Sequence, residues 1–330
     1  MNMESLFNFG IDLIVAFQSA GDWMLTPMEF FTFLGSEDFF ILILPVLYWS
    51  VDAALGLRVG VILLLTSGIN NLLKFAFHWP RPYWYSAKVT PFSAEASFGM
   101  PSGHSQSAVG VWGAVASYYR RSGAWIAAIS LMLLVGLSRI YLGVHFPHDV
   151  LTGWLVGVLI LWVFLRYWDD VAEWAQKMTL GKQILTAFLV SMGLTLTGVL
   201  LTSGLRDWTM PVEWMQNAAR AGNELPAPVS MSGLLTTTGT LFGLLAGLAF
   251  METKGGFSAA GLPWKRLVRY LIGLVGVAII YVGLKLVFPE GSTFIPSFFR
   301  YLRYMLLGFW ISGLAPWLFV RLQLANNVHE

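Results

Sequence analysis

The stretch AWIAAISLMLLVGLSRIYLGVHFPHDVLTGWLVGVLILWVFL, residues 124–165, decides how this chain folds. Two apolar runs flank a polar turn between Ser138 and Asp149, and such runs are typical of membrane helices. An arginine, two histidines and an aspartate lie in that turn. Ionisable side chains at the edge of a membrane span are costly, so they are usually paired or functional. The stretch therefore predicts two membrane helices joined by a turn that carries chemistry.

The composition of the whole chain also indicates a membrane protein. Of 330 residues, 56% are hydrophobic and only 12% are charged, and the mean hydropathy is +0.66. Soluble domains carry about 25% charged residues. The net charge of +2 gives no reason to expect nucleic acid as a partner, and the absence of cysteine excludes disulfides and thiolate metal sites. We expect an integral membrane protein, with no prediction for its oligomeric state.

Apolar stretches predict an all-α fold, a polytopic bundle of about ten transmembrane helices. The expected spans are 9–34, 38–56, 57–78, 103–119, 123–142, 149–167, 183–203, 232–251, 267–288 and 302–320. Acidic residues and Pro27 interrupt the first of them, so an interfacial helix followed by a short span is expected there. The polar stretch 166–182 is typical of a short surface helix.

This polar stretch divides the chain into three parts. We predict a core of six spans at 1–168, a cytoplasmic connecting helix at 169–182 and a C-terminal region of four spans at 183–330. Outside the candidate site, Lys and Arg are more frequent on one side of the spans, which the positive-inside rule makes cytoplasmic. Both termini are then expected in the cytoplasm, with the turn at 138–149 facing outward from a bacterial-type inner or cell membrane.

Three polar clusters fall at the outward ends of the expected spans. The first is NNLLKFAFHWPRP, residues 70–82. Helical spacing places Asn70, Lys74 and His78 on one stripe, which should face the interior of the bundle. Arg81 follows where two prolines end the helix.

The second cluster is GMPSGHSQS, residues 99–107. Pro101 is expected as the first helical residue, so that Ser102, Gly103 and His104 lie in the first turn. Backbone N–H groups there lack internal partners and the helix dipole is positive, which favours an anion. Gly103 lets a ligand approach the backbone closely.

The third cluster is the turn between Ser138 and Asp149. Ser138 and Arg139 end one span, and His145 and Asp149 are four residues apart. A carboxylate against one nitrogen of an imidazole leaves the other nitrogen unprotonated and oriented, as in an activated nucleophile or base. His104 has no such carboxylate near it in sequence and is better placed to donate a proton.

Together the clusters supply three fixed cations: Lys74, Arg81 and Arg139. Guanidinium groups match phosphate oxygens two at a time. This set suits phosphoryl transfer, in which the protein mainly stabilises charge on the phosphoryl oxygens. A two-metal hydrolase would need several clustered carboxylates, and only Asp149 and Glu95 are near. We therefore expect a site without metal or other cofactor.

At this point the residues resemble a known family. K-x6-RP, PSGH and SR-x5-H-x3-D are similar, in order and spacing, to the three signatures of the type 2 phosphatidic acid phosphatase and vanadium haloperoxidase superfamily, in its integral membrane lipid phosphatase branch. The resemblance covers roughly residues 9–167. It implies that His145 is the nucleophile and forms a phosphohistidine, that His104 protonates the leaving alcohol, and that Asp149 orients His145. It implies phosphate binding by six residues: Lys74, Arg81, Ser102, Gly103, Ser138 and Arg139.

The predicted function is that of a metal-independent membrane phosphatase acting on a lipid phosphomonoester or diphosphate. Phosphatidic acid, phosphatidylglycerol phosphate, polyprenyl diphosphate and sphingoid phosphates all fit the three cations, so the lipid phosphate partner stays open. A lipid phosphotransferase on the same scaffold, a lipid transporter with a phosphate site, and a phosphatase for a soluble sugar phosphate are the alternatives.

Some polar and aromatic residues fall outside the signatures. His78 and His148 are expected to pack or to line the pocket, and Glu95 is expected to be a solvated loop charge. The stretch at 204–231 either belongs to a packing annex or covers the catalytic mouth and sorts substrates. The small and hydroxyl residues at 232–250 favour close helix packing.

Overall fold

The computed structural model describes residues 3–221 and 225–328, which are helical with connecting turns and contain no β-strand. The helices of the first half are α1 (Met3–Gln18), α2 (Leu25–Phe33), α3 (Glu37–Val46), α4 (Ala53–Phe77), α5 (Pro82–Tyr85), α6 (Gly103–Tyr119), α7 (Ser122–Tyr141) and α8 (Pro147–Gln176). Those of the second half are α9 (Leu180–Ser203), α10 (Val212–Ala218), α11 (Ser232–Glu252), α12 (Pro263–Ala278), α13 (Leu284–Val287), α14 (Phe294–Phe309) and α15 (Ala315–Arg321). The all-α prediction is confirmed.

Within the described residues, seven helical segments are long and apolar enough to cross a membrane, or eight if a bent pair near the N-terminus forms one span. The seven are Ala53–Tyr85, Ser122–Tyr141, Pro147–Gln176, Leu180–Ser203, Ser232–Glu252, Pro263–Val287 and Phe294–Arg321. The expected span at 103–119 forms α6, which has 17 residues. The expected first span at 9–34 is divided between α1 and α2. A count of about ten therefore stays a prediction.

Two helix boundaries differ from the sequence prediction for local reasons. Helix α4 begins at Ala53 rather than near residue 57, because the Asp52 carboxylate accepts a hydrogen bond from Leu55 N (3.0 Å) and caps the helix. Residues 169–176, expected in a separate connecting helix, continue α8 as far as Gln176. No glycine or proline interrupts this stretch, so the sequence offers no reason for the helix to end earlier.

The described chain forms two compact units. The first contains the residues up to Phe40, Ile69–Trp162 and Gly198–Ser230. The second contains Ile41–Gly68, Val163–Thr197 and the residues from Met231 onward. All the site residues predicted from the sequence lie in the first unit. The domain boundaries predicted from the sequence divide the chain differently and stay a prediction.

The first unit has an aromatic core beside the polar turns. Phe7 of α1 stacks on Phe146, with ring centroids 5.2 Å apart. Gly10 permits this approach, because a Cβ there would lie 2.7 Å from the Phe146 ring. Gln18, also on α1, donates to the carbonyl oxygens of Thr90 (2.8 Å) and Tyr141 (2.9 Å). Helix α1 thus ties the loop after α5 to the end of α7.

The second unit is built by close helix packing. Gly243 of α11 and Gly308 of α14 lie against the backbone of the opposite helix, where a Cβ would clash. Ser191 of α9 donates to the Thr238 carbonyl oxygen (2.8 Å), and Ser312 donates to the Leu244 carbonyl oxygen (2.7 Å). Small residues and hydroxyl groups are the usual means by which membrane helices associate.

Candidate active site

Arg81 lies between the end of α4 and the start of α5 and is fully buried. Pro82 begins α5, as proline commonly begins a helix, so the chain turns at this point. Arg81 Nε donates to the Ser97 carbonyl oxygen (2.6 Å), and Nη2 donates to Ser97 Oγ (3.0 Å) and to the Phe98 carbonyl oxygen (3.2 Å). One buried cation therefore fixes the loop that carries Ser97 and Phe98.

The remaining nitrogen of Arg81, Nη1, faces His145. It donates to the Val144 carbonyl oxygen (3.0 Å) and lies 3.2 Å from His145 Nε2. A guanidinium nitrogen can only donate, so the His145 Nε2 that faces it must be the unprotonated, accepting nitrogen of the ring. The proton of the neutral imidazole is then on Nδ1. The structure thus places an unprotonated ring nitrogen beside a fixed cation.

The other face of His145 meets Asp149. The His145 Nδ1 lies 3.3 Å from Asp149 Oδ2, and the same oxygen accepts from Phe146 N (2.9 Å). Pro147 begins α8, so Asp149 falls in the first helical turn. Burial, followed by the neighbouring guanidinium charges, holds the pKa of His145 well below its ordinary value. The imidazole is therefore neutral at pH 7, in the protonation state that a nucleophile needs.

The PSGH turn packs against this pair. Ser102 N donates to the Asp149 carbonyl oxygen (3.0 Å), while Ser102 Oγ accepts from Ser105 N (3.4 Å) and from Ser105 Oγ (2.9 Å). Ser102 is therefore the cap of α6, and the helix begins at Gly103 rather than at Pro101. Asn70 holds the turn from α4, since its Nδ2 donates to the Pro101 carbonyl oxygen (3.1 Å). A Cβ on Gly103 would come within 3.0 Å of Asn70 Oδ1, so a glycine fits closely there.

Ser138 and Arg139 lie in the last turns of α7 and point to different partners. Ser138 Oγ donates to the Val135 carbonyl oxygen (2.7 Å) within its own helix, so its hydroxyl hydrogen is already engaged. Arg139 is buried, with Nη1 donating to Thr32 Oγ1 of α2 (2.6 Å) and Nη2 donating to Glu95 Oε1. Arg139 thus has an anionic partner in Glu95, whereas the hydroxyl group of Ser138 is bonded within its own helix.

Ser97 links two of the predicted cations. Lys74 Nζ of α4 donates to Ser97 Oγ (2.8 Å), the same oxygen that receives Arg81 Nη2. Lys74 and Asn70 are buried, as residues on an inward-facing stripe should be, whereas His78, predicted on the same stripe, lies beyond the end of α4 and is exposed. Sequence reasoning did not single out Ser97, because one serine in the loop at 86–102 looks like any other polar loop residue.

Glu95 is not a solvated loop charge, which corrects the expectation from the sequence. Its carboxylate contacts Arg139 Nη2 and lies 3.5 Å from Arg81 Nη2, and a quarter of the side chain is exposed. Burial alone would raise the pKa of Glu95, but the charges of these two arginines hold it below its usual range. An anion is therefore stable between two of the predicted phosphate-binding cations.

His104 lies in the first turn of α6 and is half-buried. It is close enough to Glu95 to interact electrostatically with its carboxylate, as Lys74 does. Gly35 lies beside the ring, since a Cβ at that position would be in ordinary contact with His104 Cδ2 at 3.4 Å. Both predicted histidines therefore belong to the group of residues around the three cations.

Described residues on both sides of 222–224, within 204–221 and 225–230, pack against the loop that Arg81 fixes. Trp208 meets the buried Phe98 edge to face, with ring centroids 5.1 Å apart. Asn217 Nδ2 donates to the Trp84 carbonyl oxygen (3.1 Å), and Ala227 N donates to the Ala96 carbonyl oxygen (3.0 Å). These contacts join the segment to α5 and to the loop that carries Ala96, Ser97 and Phe98, called the site loop below. A role in sorting substrates stays a prediction.

Comparison with known proteins shows what this arrangement resembles. The PAP2 superfamily matches residues 55–173, and the PAP2 superfamily phosphatase, transmembrane extension, matches residues 235–327. Glucose-6-phosphatase 3 of Bos taurus is 27% identical over 96% of this chain and 96% of its own length. Sphingosine-1-phosphate phosphatase 1 of Mus musculus is 29% identical over 49% of this chain and 39% of its own length. The crystal structure of a transmembrane PAP2-type phosphatidylglycerolphosphate phosphatase from Bacillus subtilis is 25% identical, covers 51% of this chain and 96% of that one, and has a TM-score of 0.41.

Proposed function

Because the chain belongs to the PAP2 superfamily of integral membrane phosphatases, we propose that it hydrolyses a phosphate ester through a phosphohistidine formed on His145. One observation carries the proposal. The Nε2 of His145 is the accepting nitrogen of a neutral ring and lies against Arg81, while Nδ1 faces Asp149. A nucleophile is thereby held unprotonated at a place where a phosphate would be drawn by cations.

The proposed reaction has two steps. In the first, His145 Nε2 attacks phosphorus and the bond from phosphorus to the ester oxygen breaks. His104, which must hold a second ring proton once the phosphate anion is bound, gives that proton to the leaving alcohol. In the second, His104 takes a proton from water, the resulting hydroxide attacks the phosphohistidine, and phosphate leaves with His145 restored. Lys74, Arg81 and Arg139 would neutralise the charge on the phosphoryl oxygens during both steps.

Further phosphate contacts are proposed for Ser102, Gly103 and Ser138. The N–H groups at the start of α6 support this role for Gly103, because such groups bind anions and Gly103 has no side chain in the way. The hydroxyl groups of Ser102 and Ser138 already have partners in their own helices. Ser102 Oγ only accepts there, so its own hydroxyl hydrogen can donate to a phosphate oxygen, whereas Ser138 would have to exchange its bond to the Val135 carbonyl for one to phosphate.

Glu95 must give way for the substrate. Its carboxylate neutralises Arg81 and Arg139, and a phosphate bound there would meet like charge. Because Glu95 lies in a loop and is partly exposed, a side-chain rotation can release both guanidinium groups to the phosphate. The exchange replaces one anion by another and avoids leaving two buried cations unpaired.

Two substrate classes have support. A lipid phosphate fits a membrane site, and sphingosine-1-phosphate phosphatase 1 matches half of the chain. A water-soluble sugar phosphate has a separate support, because glucose-6-phosphatase 3 matches nearly the full length, including the C-terminal helices. The reaction proposed for His145 is the same in both cases, and the lipid class is the one we propose first.

The proposal also concerns sidedness and metal use. We place the site on the outward face of the membrane with both termini in the cytoplasm, supported by the distribution of Lys and Arg. We expect full activity in excess EDTA, since the three cations provide the charge that metal ions provide in two-metal phosphatases.

The test is phosphate release from a panel that contains phosphatidic acid, sphingosine 1-phosphate, a polyprenyl diphosphate and glucose 6-phosphate. Purified protein in EDTA is compared with His145→Asn, whose amide can still donate towards Asp149 while the nucleophilic nitrogen is gone. His78→Asn is the matched control, because His78 is exposed and has a positive φ that asparagine tolerates. Release by His145→Asn at the parent rate would refute the proposal, and a new phosphoester in place of free phosphate would indicate a phosphotransferase.

A further inference from the structure

A second imidazole lies on the far side of Asp149. We propose that His148 is a positioning residue that donates a hydrogen bond from Nε2 to Asp149 Oδ1, so that the carboxylate is held between two histidines. The inference rests on the proposed function, because Asp149 matters to the reaction only if His145 is the nucleophile. It concerns a residue that lies inside the third signature but matches none of its specified positions.

The two oxygens of Asp149 differ in their contacts. Oδ2 is approached by Phe146 N at 2.9 Å and by His145 Nδ1 at 3.3 Å. Oδ1 is buried and has no hydrogen-bond partner among the described residues. The same is true of His148 Nε2. These two atoms lie 3.5 Å from each other.

Buried polar atoms are nearly always paired, because an unpaired one loses its hydration without compensation. Here one unpaired acceptor faces one unpaired nitrogen that can carry a proton. An approach of about half an ångström would bring them to ordinary hydrogen-bond distance. A single hydrogen bond then satisfies both atoms, and it fixes the tautomer of His148 with the proton on Nε2.

Aromatic neighbours hold the His148 ring in the orientation that this bond needs. Phe146 stacks on it with ring centroids 4.9 Å apart and planes at 13°. Trp79 meets it edge to face at 5.5 Å, and Phe7 lies 5.7 Å away. Packing alone, as expected from the sequence, accounts for these contacts. It does not account for a ring nitrogen directed at the free oxygen of Asp149.

The bond would act through Asp149 on His145. With donors on both oxygens, the carboxylate cannot rotate about its Cβ–Cγ bond without breaking a hydrogen bond. Oδ2 therefore stays directed at His145 Nδ1, which keeps the proton on that nitrogen and leaves Nε2 unprotonated for the attack. This is the relation between a carboxylate, an imidazole and a further orienting group that is known from other active sites. His148 itself would not touch the substrate.

The first test uses His148→Phe, which keeps an aromatic ring in the stack and removes the donor. Turnover of 4-nitrophenyl phosphate is expected to fall about tenfold in kcat, equivalent to about 1.4 kcal/mol, with KM little changed. The decisive measurement is a double-mutant cycle with Asp149→Asn. If His148 acts through Asp149, His148→Phe causes no further loss in the Asp149→Asn protein. Equal losses in both backgrounds, or full activity of His148→Phe, would overturn the inference.

A second pair of variants keeps the test decisive if the phenylalanine variant does not fold. His148→Gln and His148→Met have side chains of similar length and shape, but only glutamine can donate a hydrogen bond. The glutamine variant is expected to turn over several times faster than the methionine variant, and equal rates would contradict the proposed bond. His145→Asn is measured beside them. If His145→Asn is inactive and the glutamine and methionine variants have equal rates, only the role of His148 is refuted. If His145→Asn is active, the proposed function itself is refuted.

Discussion

Replacing Arg81 by lysine tests whether the site depends on the shape of the guanidinium group or only on its charge. Arg81 uses Nε and Nη2 to hold Ser97 and Phe98, and it uses Nη1 to reach Val144 and His145. A lysine keeps the positive charge, but its donors all radiate from one nitrogen. That nitrogen can serve one of these two sets of partners and must abandon the other.

The size of the effect follows from the contacts that are lost. Either set contains at least two hydrogen bonds from a charged donor, each worth about 1.5–3 kcal/mol, and the bond from Nη1 to His145 Nε2 would pass to a phosphoryl oxygen when that nitrogen attacks. A loss of about 3–6 kcal/mol corresponds to a decrease of about 10²- to 10⁴-fold in kcat/KM, if the whole loss falls on the transition state. Part of it will appear as lower stability, since the loop at 97–98 is also held by Arg81.

The assay is steady-state hydrolysis of 4-nitrophenyl phosphate by purified Arg81→Lys, together with its melting temperature in detergent. Arg206→Lys provides the same substitution at an exposed position of the segment that packs on the site loop. Parent activity is expected for this control. If Arg81→Lys keeps kcat/KM within threefold of the parent, the geometry of the guanidinium group is not what the site requires, and the reasoning fails.

Three further predictions concern the surroundings of the site. Glu95→Gln is expected to lower the melting temperature at pH 7, because the arginines hold the folded-state pKa of Glu95 below the unfolded value of about 4.3. The difference in melting temperature from the parent should shrink as the pH falls below about 4, because the stabilisation by the charged carboxylate is then lost. Trp208→Ala removes the ring contact with Phe98 and is expected to change the ratio of lipid phosphate to 4-nitrophenyl phosphate turnover severalfold. A single cysteine at Lys88 should react with an impermeant maleimide from outside intact cells, and one at Lys177 should not.

Each of these has a matched control and a contrary outcome. Glu213→Gln changes an exposed glutamate and should show no pH-dependent deficit, whereas a deficit in Glu95→Gln that grows at low pH would contradict the assigned charge pairing. Trp264→Ala removes an exposed tryptophan from the other compact unit, and unchanged substrate preference in Trp208→Ala would count against a sorting role. The chain has no native cysteine to interfere with labelling, and outside labelling at Lys177 alone would reverse the proposed sidedness.

The turn at 138–149 could be predicted well because its geometry is local. Pro147 can begin a helix but cannot continue one, so Asp149 had to fall in the first turn of α8 and within reach of His145. Pro101 predicts a start of α6 two residues early, because proline favours the first helical position while the hydroxyl of Ser102 caps the helix at Gly103.

Residues that reach the site across long sequence separations could not be predicted. Thr32 bonds Arg139 from a helix more than a hundred residues earlier in the chain, and nothing in its own sequence distinguishes it from other threonines. Ser97 and Glu95 lie in a loop whose path is set by tertiary contacts. Glu95 did carry one signal, since it is a rare acidic residue in the loop that follows the signature with Lys74 and Arg81, and an unbalanced positive site needs a counterion.

Trapping the phosphoenzyme tests the central claim most directly. Purified protein in excess EDTA is mixed with a ³²P-labelled phosphomonoester, quenched with alkali within one turnover, and mapped by peptide mass spectrometry. We predict alkali-stable, acid-labile label on the peptide that contains His145, full labelling in His78→Asn and none in His145→Asn. Phosphate release without any label on His145, or equal labelling of the His145→Asn protein, would contradict the account.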